Sequence, residues 1–364
     1  MTGIFDVSKR LKFLYKHEQA DESYEFCGEM IPILPSLEAI HQMNEYGRAR
    51  IPFLFIIDFL AQQPVVLRLD EVNADELRYE FNGLTNTQRK GEPAQPRAQF
   101  HKSVLSFEQY SPKFDFVLQQ IKRGNSFLVN LSVCTEITTD LDLMTIFNQT
   151  KAKYRLWWRD KFVCFSPEIF VQVRGNRVAS FPMKGTIDAD LPLAQERILA
   201  DVKEAAEHAT IVDLIRNDLS MVAEKVWVER YRFIDKIETN QKALLQVSSE
   251  IAGTMPDNWR ETLGDWLFKL LPAGSISGAP KPRTLEIIQE AEGYERGYYT
   301  GVAGIFDGEN LDSGVLIRFI EKINDRMVFK SGGGLTARSE AQSEYREVID
   351  KVYLPLLHEF TPMY

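Results

Sequence analysis

Scarcity sets the first limits on this chain. Its three cysteines, Cys27, Cys134 and Cys164, are an odd set without CxxC spacing. That argues against a disulfide framework or structural zinc site and fits a reducing compartment. No lysine or arginine block is longer than a pair, and the formal charge is −9, from 43 basic against 52 acidic residues. Nucleic acid and acidic membrane surfaces are therefore not expected partners. The longest apolar run, 51–60, contains Asp58 and is too short to span a bilayer. The opening residues lack a signal-peptide core, so a cytoplasmic location is expected. No period of roughly 20 to 50 residues repeats, which excludes a solenoid.

What is present describes a globular chain of 364 residues, 44% hydrophobic and 26% charged, long enough for one large domain or for two or three cores. The apolar stretches 31–34 and 52–58 suit buried strands, and 86–103 reads as a polar surface connection. A helix is predicted over 106–123, a strand over 126–135 and a helix over 141–152. Strands follow at 154–158, 162–165, 170–173 and 177–181, and later at 248–253, 299–305, 314–319 and 327–331. Tight polar turns such as Arg174-Gly175-Asn176 between short strands indicate antiparallel pairing. The fold class is α+β, a large antiparallel β-sandwich with peripheral helices.

The most informative residue is Lys184, inside the block PMKGT at 182–186, which thirteen residues separate from the tripeptide SPE at 166–168. An amine attacks only when burial or neighbouring cations hold it neutral; the alternative is a solvated surface lysine. Further on, Ile198, Val202, Ala205, Ala209 and Val212 mark one buried stripe of a long helix over 192–219. Glu204 and Glu207 lie on it three residues apart. A second helix, started by a Ser339/Gln342 capping box and stopped by Pro355, carries Glu344 and Glu347 at the same spacing. Two such pairs suit Mg²⁺, with one glutamate per helix bound directly and the other through water. The alternative is a pair of solvated faces, with Glu347 and Lys351 as a surface ion pair.

Three further segments bear on ligands. The run 272–283 leads into a helix over 284–292, whose start offers free N–H groups to a carboxylate or is simply a helix start. Arg318, after an apolar strand, points outward or into a cleft, where its fork would suit a carboxylate. Gly332, Gly333 and Gly334 permit close backbone approach to a ligand or form a tight turn.

Taken in order, SPE, PMKGT, Glu207-His208 with IVDLIRNDL at 211–219, SGAPK at 277–281, RGYYTG at 296–301, Ile317-Arg318 and the stretch 332–351 make the chain resemble the chorismate-utilising enzymes. The likeness covers about residues 115 to 355 and is loose before that, chiefly at 52–59. It implies one chorismate-binding α+β domain over 1–364 of the anthranilate synthase large-subunit type. Residues 1–103 would be a shortened, loosely matching portion and 104–364 the catalytic portion. Family members that make aminodeoxychorismate, the para-aminobenzoate and folate branch, carry lysine in the middle of the PxKGT block. Those that make anthranilate, isochorismate or salicylate generally carry alanine. Leu128 stands where isochorismate and salicylate synthases keep a water-activating lysine.

The resemblance implies amination of chorismate at C4 by ammonia, with Lys184 as covalent nucleophile and Glu168 as the acid for the departing hydroxyl. Glu207 and Glu347 would be direct Mg²⁺ ligands, and Glu204 and Glu344 outer ones. Gly185 and Thr186 would lie beside the substrate, with Ser277, Gly278 and Ala279 beside its ring. Tyr299, Arg318, the backbone at Gly332, Gly333 and Gly334, and Lys351 would hold carboxylates. Departures from the family pattern are Leu128 for an early-strand glutamine, Gln246 for a histidine of anthranilate synthases, and Arg338 for an aspartate. No Gly-x-Cys-x-Gly turn of a glutaminase is present, so a separate glutamine amidotransferase subunit is the expected source of ammonia. The alternatives are anthranilate synthase component I and a non-catalytic chorismate-binding regulator.

Overall fold

A computed structural model describes residues 31–87, 99–150, 152–238 and 243–354; Cys27 and Pro355 lie outside them. In chain order the first elements are α1 (Ser36–Ala49), β1 (Phe53–Ile57), β2 (Val65–Arg68), β3 (Leu77–Phe81), β4 (Leu84–Thr85), β5 (Phe100–Ser103) and α2 (Phe107–Lys122). The middle holds β6 (Leu128–Thr139), α3 (Leu143–Gln149), β7 (Tyr154–Trp158), β8 (Phe162–Ser166), β9 (Ile169–Arg174), β10 (Arg177–Ser180) and β11 (Met183–Asp188). Then come α4 (Ala194–Ala200), α5 (Val202–Ser220), β12 (Lys225–Glu238), β13 (Ala243–Thr254), α6 (Leu263–Lys269), α7 (Gly274–Ser277) and β14 (Gly278–Ala279). The last are α8 (Lys281–Glu292), β15 (Val302–Phe306), β16 (Leu311–Val315), β17 (Phe319–Ile323), β18 (Arg326–Leu335) and α9 (Ala341–Asp350).

Among the described residues these strands form two nine-stranded sheets. One runs β11-β13-β10-β9-β16-β15-β1-β2 with β12 on β13, and the other runs β14-β6-β18-β17-β8-β7-β3-β4 with β5 on β6. Every pairing is antiparallel, as the α+β reading expects. All five residues of β1 and of β7 are buried, which is why their sequences are nearly unbroken apolar runs rather than alternations. The main core joins Phe53, Phe55 and Ile57 of β1, Leu131 and Val133 of β6, Phe114 and Val117 of α2, and Ile211 and Ile215 of α5. A second cluster packs Ile146 and Phe147 of α3 against Trp157, Val163, Phe165 and Ile320. No described helix is long and apolar enough to cross a membrane.

Several expectations are corrected. The helix predicted over 192–219 is two helices, because Asp201 takes an extended conformation and its carboxylate accepts the Glu204 N–H at 2.9 Å. An aspartate that caps a new helix outweighs continuation of the old one. The strand predicted over 314–319 is split between the sheets: β16 ends at Val315, β17 begins at Phe319, and Arg318 turns the chain with φ 54°. No capping box starts α9. Ser339 stands one residue early and its Oγ accepts from Thr336 N at 3.2 Å, leaving Glu340 at the cap. Residues 31–34 form no strand, since Pro32 supplies no N–H and Pro35 is the cap of α1. The polar connection over 86–103 ends in β5, an edge strand on Glu136 to Thr139. By contrast, the Ser106 start is a full capping box with Gln109.

Candidate active site

The strand β11 carries Lys184 over a register shift against β13, between Met183 and Thr186. A bulge of this kind re-aims a side chain out of the ladder. Gly185 sits in it at φ +83°, and a Cβ there would stand 3.2 Å from Glu204 Oε2. Glycine thus provides both the backbone angle and the close approach to α5. Lys184 points into a cavity of about 80 Å³ lined by Leu128, Glu168, Pro182, Met183, Glu207, Ile211, Ser275 and Gly334 as well as itself.

Lys184 Nζ lies 2.7 Å from Glu207 Oε2, with the two side chains 24% and 7% exposed. Burial alone would lower the lysine pKa. The charge and hydrogen bond of Glu207, with Glu347 and Glu204 behind it, outweigh burial and hold it above the ordinary value. Beside free carboxylates the charged form of Lys184 is favoured, and the neutral amine that nucleophilic attack needs requires those charges to be compensated.

Four glutamates approach one another from two helices. Lys203 Nζ stands 3.8 Å from Glu207 Oε1 on α5 and 3.6 Å from Glu344 Oε1 on α9. On α9, Glu347 Oε1 accepts from Lys351 Nζ at 2.7 Å, and the same ammonium donates to Gly332 O at 2.8 Å. A Cβ on Gly333 would stand 3.5 Å from Glu344 Oε2 and 3.6 Å from Glu347 Oε1, so bare backbone runs beside this pair. Burial raises the pKa of Glu344, and Glu347 adds to it. Burial likewise raises Glu204, partly opposed by Lys184. Glu347, 45% exposed on α9, is partly desolvated, but Lys351, with Lys184 and Lys203 adding, outweighs this and holds its carboxyl below the ordinary value.

Among the described residues no three His, Cys, Asp or Glu side chains form a ready ligand group. Yet Glu204 Oε2 and Glu207 Oε1 are buried carboxylate oxygens without a hydrogen-bond partner, and buried anions of this kind require compensation. The donor set is all oxygen. It fits a hard cation that takes one or two carboxylates and keeps several waters, as Mg²⁺ does.

Across the cavity, Glu168 Oε1 accepts from Ser275 Oγ at 2.6 Å. Burial raises the Glu168 pKa, with Ser275, Arg318 and Lys351 opposing, so the carboxyl is inclined to keep a proton. Arg318 is half-buried, its Nε has no partner, and its guanidinium lies 5.7 Å from the Tyr353 ring. Tyr299 is buried beside Phe319. Thr186 is exposed, outside the cavity lining.

Ser277 and its neighbours do not line the cavity. The Ser277 hydroxyl donates to Ala273 O at 2.9 Å, while Gly278 and Ala279 pair with Val129 and Leu128. Gly278 has φ +122°, and a Cβ there would fall 1.9 Å from Leu128 O, so the motif's glycine serves this backbone contact. The hydroxyl that reaches the cavity is Ser275, two residues earlier. Two residues to which the sequence assigns no role also stand here: Lys203, next to Glu204, and His208, whose Nε2 lies 2.6 Å from Ser249 Oγ. Burial, with Arg232 and Lys184 adding, pushes the pKa of His208 down to about 4, so it stays neutral beside Glu207. Of the three departures, Leu128 lines the cavity, Gln246 has a buried Oε1 without a partner, and Arg338 is exposed.

This arrangement has relatives. An uncharacterized PabA-like protein of Pasteurella multocida is 49% identical over 317 residues, which cover 87% of this chain and 98% of that one. An anthranilate synthase component 1 of Haloarcula marismortui is 31% identical over 314 residues, 78% of this chain and 62% of that one. The menaquinone-specific isochorismate synthase of Escherichia coli has the same fold, with a TM-score of 0.65 over 88% of this chain and 82% of that one at 16% identity. A family described as chorismate binding enzyme matches residues 24–356, a span that takes in Glu168, Lys184, both glutamate pairs and Lys351. On that match over nearly its whole length, the chain is a member of the chorismate binding enzyme family.

Proposed function

We propose that this chain is an aminodeoxychorismate synthase component I, which aminates chorismate at C4 with ammonia for para-aminobenzoate and folate synthesis in the cytoplasm. The observation that carries the reading is Lys184. It is a primary amine in the wall of the cavity, opposite a carboxyl held by Ser275, at the position where the rest of the family generally carries alanine. Mg²⁺, bound by Glu207 and Glu347 with Glu204 and Glu344 behind them, would clamp the ring carboxylate of chorismate and neutralise the glutamates around Lys184.

In this mechanism Lys184 Nζ forms a bond to C2, the ring double bond shifts, and the C4–O bond breaks. Glu168 gives its proton to the departing hydroxyl, which leaves as water, and then accepts the proton released by the substituted amine. Ammonia next bonds to C4, the double bond shifts back, and the C2–N bond to Lys184 breaks as the proton that the new ammonium loses passes through Glu168 to the departing Lys184 nitrogen. The net exchange is ammonia in and water out. Lys351 and Arg318, both within reach of Glu168's field, would hold carboxylates, with Tyr299 and the 332–334 backbone beside them. Ammonia would come from a separate glutamine amidotransferase (glutaminase) subunit.

A second reading is favoured by the 31% identical Haloarcula relative, an anthranilate synthase component 1. The test is to incubate the pure chain with chorismate, Mg²⁺ and an ammonium salt and to identify the product by mass. An aminated product that keeps the enolpyruvyl group supports the proposal. Anthranilate with free pyruvate supports the second reading, and binding without turnover makes the chain a silent regulator.

A further inference from the structure

Lys184, Lys203 and Lys351 approach the glutamates of α5 and α9, and they are not equivalent. Lys184 and Lys351 each make a 2.7 Å contact to one carboxylate and are 24% and 25% exposed. Lys203 stands 3.8 and 3.6 Å from two carboxylates at once and is 41% exposed. At those distances it is held by charge rather than by directed hydrogen bonds, and Glu207 Oε1 keeps no hydrogen-bond partner. Lys203 also sits in the first turn of α5, where the helix dipole opposes a positive charge. What attracts the ammonium is therefore the pair of buried anions, Glu207 and Glu344, 7% and 5% exposed.

We propose that Lys203 is an internal counter-ion that bridges α5 and α9 while no divalent cation is bound, and that it swings to solvent when one binds. The inference rests on the reading of these glutamates as the cation site. A flexible, half-exposed stem makes the swing possible. Repulsion between the ammonium and the incoming ion makes the swing necessary, so Lys203 lowers the affinity of the site for divalent ions.

The test is calorimetric titration of Mn²⁺ and Mg²⁺ into the full chain without chorismate, comparing wild type with Lys203→Met, which keeps the stem, and Lys203→Arg, which keeps the charge. Loss of the charge should tighten binding roughly two- to fivefold, a modest factor because the pair is partly in water, while the arginine variant stays near wild type. In chelator the methionine variant should melt below wild type, and added Mg²⁺ should raise its melting temperature by more. Unchanged or weaker binding by the methionine variant overturns the proposal. If wild type itself binds neither ion, the cation site falls and the proposal falls with it, a result distinct from equal affinities.

Discussion

Replacing Lys184 by methionine separates its two roles, counter-ion and nucleophile. The substitution leaves Glu207, 7% exposed, without its 2.7 Å partner. Removing one member of a buried ion pair costs about 3–5 kcal/mol. Because a quarter of the lysine side chain reaches solvent, the lower end of that range applies, about 3 kcal/mol. In a chain of this size that lowers the melting temperature by roughly 4 °C. Calorimetric melts in chelator should show the drop. Added Mg²⁺ should recover much of it, because Glu207 then has a cation again. The double variant Lys184→Met with Glu207→Gln should melt above Lys184→Met alone, since the uncompensated charge is gone. Turnover should be lost in every one of these conditions, whatever the recovered stability, because methionine cannot bond to the ring. Undiminished product formation by Lys184→Met would refute the covalent route, and an unchanged melting temperature in chelator would refute the ion pair as the resting state.

The remaining predictions concern the opposite wall and the framework. Burial raises the Glu168 pKa, so wild type loses stability as pH climbs from the ordinary carboxylate value through the folded one. Glu168→Gln should therefore melt above wild type at pH 8, with the difference gone near pH 4, while turnover falls roughly 10²–10⁴-fold; equal melts at both pH values would count against a proton on Glu168. Ser275→Ala removes a donor that favours the ionised carboxylate. The alkaline limb of kcat/KM should move to higher pH as the maximum falls, and Ser275→Thr should restore both; a limb that stays in place would remove Ser275 from this role. Gly278→Ala forces a Cβ to within 1.9 Å of Leu128 O at φ +122°. It should cost more than about 3 kcal/mol in urea unfolding, and wild-type stability would show that β14 does not pair as described.

Legibility followed how local each signal is. The apolar runs of β1 and β7 and the helix that starts after Ser106 rest on signals within a few residues, and the structure has them where the sequence predicts them. The break at Asp201 was hidden because the apolar spacing runs through it, whereas the cap that makes it depends on a single side-chain hydrogen bond. The break after Val315 was hidden for another reason: Leu316 and Ile317 continue the apolar run while the chain passes from one sheet to the other. At the site, Lys184, Glu168 and Glu207 announce themselves by motif and meet at one cavity. Ser275 does not, because Ser277 has the same chemistry two residues away and nothing local says which hydroxyl faces inward.

Sequence by itself determined the chemical inventory: an amine in a glycine-flanked block, two i,i+3 glutamate pairs, an acid after a short strand, and the antiparallel α+β class. These follow from residue type and spacing, which a linear chain fully specifies. Tertiary structure alone decided that Lys184 faces Glu207, whose charge favours the ammonium there, that Ser275 rather than Ser277 reaches Glu168, and that Lys203 spans two helices. Protonation and pairing depend on burial and on charges brought together from positions as far apart as 203 and 344, and those distances exist only once the sheets and helices have packed.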